Sequence, residues 1–138
     1  MPLNLSLLSK EPDTWWLEDE GLCQELGVEV SEIGIEGVPC TYEHRDRVNR
    51  LLNVELKTDG SMMAMPAHQV RSVALELGVM CFKRIHGVEV DGKPIECNRK
   101  TIKLLVGQYG NRIVAPAVMF FQDLFEERKR DRQEASSS

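Results

Sequence analysis

No stretch of this chain approaches the ~18 consecutive apolar residues that a membrane span needs. The opening residues, Met1-Pro2-Leu3-Asn4-Leu5, have no charged leading region and no long apolar segment, so they do not read as a secretory signal. Basic excess is missing too. The net charge of −5 and pI near 5.2 argue against a general nucleic-acid coat, which needs a cationic face. With 138 residues, 42% of them hydrophobic, the chain can bury one core as a single domain. The expectation is a protein of the cytoplasm.

Catalytic patterns are equally scarce. There is no G-x-S-x-G and no H-E-x-x-H, and Gly107-Gln108-Tyr109-Gly110 lacks the lysine and preceding strand of a phosphate loop. The three histidines, His44, His68 and His86, stand at no recognisable spacing from a nucleophile. Cys23, Cys40, Cys81 and Cys97 form no C-x-x-C pair and have no histidine at zinc-finger distance. They read as free, mostly buried thiols in a reducing compartment. The sequence therefore predicts a protein that is not an enzyme, with no cofactor and no metal ligand set.

What is present is a lopsided charge pattern. Between Lys10 and Glu36 nine acids face one lysine, a solvated acidic surface or a face for a basic partner. Trp15-Trp16 sits within it; one ring is predicted to be core and the other, assigned to Trp15, a contact anchor. Asp13 or Thr14 is expected to cap a short helix over the tryptophans and the acids that follow. Leu26–Val30 and Glu32–Glu36 alternate between glycines and predict edge strands or extended loops. A helix of one or two turns is expected from His44 to near Val54.

The second half is better patterned. Pro66 suits a helix start, and Val70, Val73, Ala74, Leu77, Met80 and Cys81 recur at steps of three and four. That helix is expected to stop near His86-Gly87, with Gly78 marking a close packing point. Asp91-Gly92 between two short alternating runs predicts a type I′ hairpin. Asn98 is a natural N-cap for a short helix ending near Gly110. The stripe Ile113, Val114, Ala117, Val118, Phe120, Phe121, Leu124 and Phe125 predicts a long final helix, prolonged by the mixed charges of residues 126–134.

The predicted fold is α+β and mainly helical: helix, β-hairpin, short helix and long C-terminal helix, with a small extended or sheet region at the N-terminus. Residues 1–134 form one domain, with an acidic, partly extended part over 1–65 and a helix-hairpin-helix core over 66–130. Residues 135–138 are expected to be a disordered tail.

Candidate contact residues follow from softness and surplus apolar surface. Met62, Met63 and Met65 crowd a predicted loop, and methionine recurs at adaptable binding surfaces. Phe120, Phe121 and Phe125 cover more than one narrow helical stripe, so with Trp15 they are candidates for a partner surface or for self-association. The cations Arg45, Arg47 and Arg50 are the alternative, a nucleic-acid contact. On a helix Arg45 would lie nearly opposite Arg47, which favours a solvated face and makes nucleic acid the weaker partner.

The order of these segments resembles tail assembly chaperones and related small tail-morphogenesis proteins of long-tailed bacteriophages. The resemblance rests on residues 70–134: the Val70-Arg71 helix with Leu75-Glu76-Leu77, the hairpin Val88-Glu89-Val90-Asp91-Gly92-Lys93-Pro94-Ile95, the Leu104-Leu105 segment, and a helix ending in Glu126-Glu127-Arg128-Lys129. It implies a non-catalytic protein of the host cytoplasm that binds apolar helical stretches of the tape-measure protein and aids assembly of the tail-tube protein. A virion protein of the neck, connector or tail, or a small regulator of a host protein or nucleic acid, would carry similar features.

Overall fold

Trp15 and Trp16 lie on a strand, not a helix. The computed structural model describes residues 11–53 and 65–137, with side chains to residue 133. Its first element, β1 (Asp13–Trp16), pairs antiparallel with β2 (Gly34–Gly37), setting Trp15 opposite Ile35 and Trp16 opposite Gly34. The acids expected to extend a helix from residue 14 start a separate one instead. Asp19 caps α1 (Glu20–Leu26) by accepting from the Leu22 N–H at 3.1 Å, and Gly27 closes it in the left-handed conformation.

β2 is the central strand of the sheet rather than an edge, with β1 on one side and β3 (Phe82–His86) on the other. Gly37 shows why this short Gly-Ile-Glu-Gly strand can be buried. A Cβ there would sit 2.8 Å from the Cys81 carbonyl oxygen and 3.0 Å from the Phe121 ring. Only a residue without a side chain lets the chain pass so close to both.

α2 (Tyr42–Leu52) runs eleven residues, longer than the one or two turns expected. Thr41 and His44 form a reciprocal capping box, with the His44 ring in the place usually taken by glutamate. The stripe from Val70 to Cys81 is α3 (Ala67–Cys81), which starts directly after Pro66. It stops five residues short of His86, because Phe82 turns extended and Ile85 pairs with Ile35 on β2. Gly78 is a close packing point as expected, but its neighbour is the Phe82 ring, 2.9 Å from a Cβ built there.

The hairpin consists of β4 (Glu89–Val90) and β5 (Lys93–Pro94), with positive φ at both Asp91 and Gly92 as a type I′ turn requires. Asn98 caps α4 (Arg99–Tyr109) and Gly110 ends it. In α5 (Val114–Ser137) Pro116 is tolerated in the first turn, and the helix continues through Ala135–Ser137, where the sequence predicts a disordered tail. The architecture is α+β and mainly helical. α3 and α5 pack together, α2 and α4 lie on α3, and β1 meets α5. One buried cluster joins Leu17, Leu22 and Val48 from the acidic half to Leu77, Ile102 and Phe121, so the halves share a core.

Candidate partner groove and a buried thiol–histidine cluster

Trp15, Met65 and Phe120, distant in sequence, line one surface groove of about 580 Å³. β1 supplies Trp15, the start of α3 supplies Ala67 and Val70, and successive turns of α5 supply Ala115, Pro116, Met119, Phe120 and Asp123. Most of these side chains are half-buried, while Met119 is 39% exposed. Two polar groups punctuate the wall. Asn111 donates through Nδ2 to the Ala67 carbonyl at 3.2 Å, and its Oδ1 is buried without a hydrogen-bond partner. Asp123 is exposed at the groove edge. An apolar trough with a spare acceptor and a carboxylate suits a peptide segment that is mostly apolar and carries a donor or cation.

The other proposed contacts fall elsewhere. Phe121 is a correction: it is fully buried, its ring 5.9 Å from Phe82 and 5.1 Å from Phe120, and belongs to the core. It lies one residue, about 100° of helix, past Phe120, which is enough to turn it inward. Phe125 is half-buried and packs edge-to-face on Tyr42 at 5.0 Å. Met62 and Met63 lie outside the described residues. Trp16 faces away from the groove and stacks on His86 at 5.7 Å. A second, more enclosed apolar recess of about 360 Å³ lies between the sheet, the hairpin and α4, rimmed by the exposed Val90 and Leu104. Its lining comes from five separate segments, so no single stretch of sequence announces it.

No family model, curated protein or solved structure matches this chain.

Arg45, Arg47 and Arg50 share no cationic face. Arg47 pairs with Glu43 one turn earlier at 3.0 Å, and Arg50 is exposed. Arg45 is the correction: expected on a solvated helix, it is 4% exposed and turned into the protein. Its guanidinium lies 5.1 Å from the centre of the Tyr42 ring and 3.9 Å from the Glu126 carboxylate, and its Nε and Nη1 have no hydrogen-bond partner.

Behind Arg45 lies a cluster that no spacing rule reveals. Cys40 precedes the cap of α2 and is held by its N–H donating to the Phe121 carbonyl at 3.0 Å. Cys81 ends α3, and its carbonyl accepts from the Val38 N–H at 2.9 Å. His44 accepts the Thr41 N–H at Nδ1, 3.1 Å away, and the Cys81 sulfur lies 3.6 Å from the same nitrogen. A hydrogen bond from Cys81 leads in holding the Cys40 thiol down at about 5 against the opposing effect of burial, helped by His44 and the Arg45 charge. Cys81 is pushed the other way by the same bond, by burial and by the Cys40 charge. The bond thus drives the two thiols apart, Cys40 towards the thiolate and Cys81 towards the thiol. Both are buried, so the pair does not present a nucleophile to a substrate.

Proposed function

We propose that the chain is a non-catalytic binding protein that shelters an apolar helical segment of a client protein in the groove along α5. The carrying observation is the convergence of Trp15, Met65 and Phe120, from three separate parts of the chain, on one trough with Met119 at its edge. Methionine and aromatic side chains give adaptable contact area, and the nearby Asn111 Oδ1 and Asp123 carboxylate favour a helix with a basic or donor residue beside its apolar stripe. Together with the resemblance over residues 70–134, this supports a tail assembly chaperone that holds tape-measure helices, with the tail-tube protein as a further partner and the host cytoplasm as the place of action.

The test uses Trp16→Phe, which leaves Trp15 as the single tryptophan, and titrates a synthetic amphipathic leucine-lysine helix. Saturable binding with a blue shift of Trp15 emission, weakened about tenfold or more by Phe120→Ser, is expected. That factor corresponds to about 1.4 kcal/mol or more. Binding that leaves Trp15 emission unchanged, or that survives Phe120→Ser at full strength, contradicts the reading.

A further inference from the structure

We propose that Cys40, His44 and Cys81 form a binding site for a thiophilic divalent metal ion, zinc foremost, that ties the start of α2 to the end of α3. Among the described residues this is the one set of three histidine, cysteine or carboxylate side chains whose donor atoms converge, all within 4.8 Å of one another. Zinc bonds of about 2.3 Å to sulfur and 2.0–2.1 Å to nitrogen place tetrahedral donors roughly 3.5–3.8 Å apart. The Cys81 Sγ to His44 Nδ1 distance of 3.6 Å already matches such an edge. Two thiolates and an imidazole are donors that select zinc over magnesium or calcium. Three protein ligands leave the fourth position to a water molecule or an added ligand.

The surroundings fit this assignment. The Nδ1 that a metal would take accepts the Thr41 N–H, so it carries the ring's lone pair and Nε2 carries the proton. Binding exchanges that capping bond for a coordinate bond, while the Thr41 hydroxyl continues to accept the His44 N–H at 3.3 Å. The buried Nε and Nη1 of Arg45, which have no hydrogen-bond partner, are donors of the kind that support metal-bound thiolate from the second layer. Arg45 acts electrostatically on both cysteines, so its charge lies beside the site. With two thiolates, a divalent ion and the nearby Arg45–Glu126 pair, the site is close to charge balance.

The experiment titrates the reduced full chain with Co²⁺ and then displaces it with Zn²⁺. One equivalent should give the visible bands of four-coordinate cobalt and a near-ultraviolet thiolate-to-cobalt band. The double variant Cys40→Ser/Cys81→Ser should lose the thiolate band, and Cys97→Ser should keep it. X-ray absorption on the zinc-loaded wild type gives an answer independent of whether the variants fold: two sulfurs and one imidazole are expected in the first shell. No thiolate band in the wild type, a shell without sulfur, or a Cys40–Cys81 disulfide in place of metal uptake overturns the proposal.

Discussion

Arg99 grips Glu76 with two hydrogen bonds, Nη1 to Oε1 at 2.6 Å and Nη2 to Oε2 at 2.9 Å, joining the first turn of α4 to α3. This forked pair fixes where α4 leaves the hairpin, since Asn98, the cap of α4, directly precedes Arg99. The hydrogen bonds from Arg99 hold the Glu76 carboxyl below the usual glutamate range, against the effect of burial. A lowered folded value means that the contribution is fully present above the unfolded glutamate value and is lost as pH falls through the folded one. Glu76→Gln should therefore lower stability at neutral pH, where that contribution is fully present, change little at the acid end, and so flatten the acid limb of the stability–pH profile. Denaturant unfolding from pH 3 to 7 checks this; an unchanged acid limb would show that the pair contributes nothing measurable.

Phe120 and Phe121 are neighbours with opposite roles. Phe121→Ala removes a fully buried ring and should destabilise by about 3–5 kcal/mol. Phe120→Ala removes a half-buried ring at the groove and should cost less than about 2 kcal/mol. Urea midpoints of the two variants check the contrast, and equal losses would make Phe120 core as well.

Gly37 should not accept a methyl group. Gly37→Ala drives a Cβ to within 2.8 Å of the Cys81 carbonyl oxygen, a backbone atom with no freedom to retreat. Destabilisation of about 1–3 kcal/mol is expected, measured by thermal or urea unfolding. A neutral outcome would mean that β2 can shift away from α3 without loss.

Arg45 offers a test in the other direction. Its Nε and Nη1 are buried without acceptors, and the nearest carboxylate, on Glu126, is 3.9 Å away. Replacing a poorly paired buried cation by an apolar side chain of similar length is often neutral or stabilising. Arg45→Met should therefore match or exceed wild-type stability in the metal-free protein. A loss beyond about 2 kcal/mol would show that the charge is well compensated in place.

Much of the second half was legible because its signals are local. The Val70–Cys81 stripe, the Asp91-Gly92 turn, the Asn98 cap and the apolar run from Ile113 each name their element within a few residues. The first half was harder, because its outcomes depend on partners far along the chain. Trp15-Trp16 before three acids looks helical until β2 is present to pair with it. Phe82–His86 continues the α3 pattern until Ile35 claims Ile85. At the site, Trp15, Met65 and Phe120 could be named from residue type, but their convergence could not. Helical spacing alone did not decide that Phe121 turns inward. The Cys40–His44–Cys81 cluster left still less trace, since His44 and Cys81 are 37 residues apart. The Thr41–His44 capping box that holds His44 in place left no trace either, since histidine is not the residue that pattern calls for.

The central claim, an apolar helix bound along α5, is tested most directly by methyl-labelled methionine spectra during titration with the amphipathic helix. Met65 and Met119 line the groove and Met80 does not, so the first two report on the groove and the third on another part of the molecule. The account predicts that the Met65 and Met119 signals shift together and saturate while Met80 stays in place. Shifts confined to Met80, or no shift at saturating peptide, would contradict it.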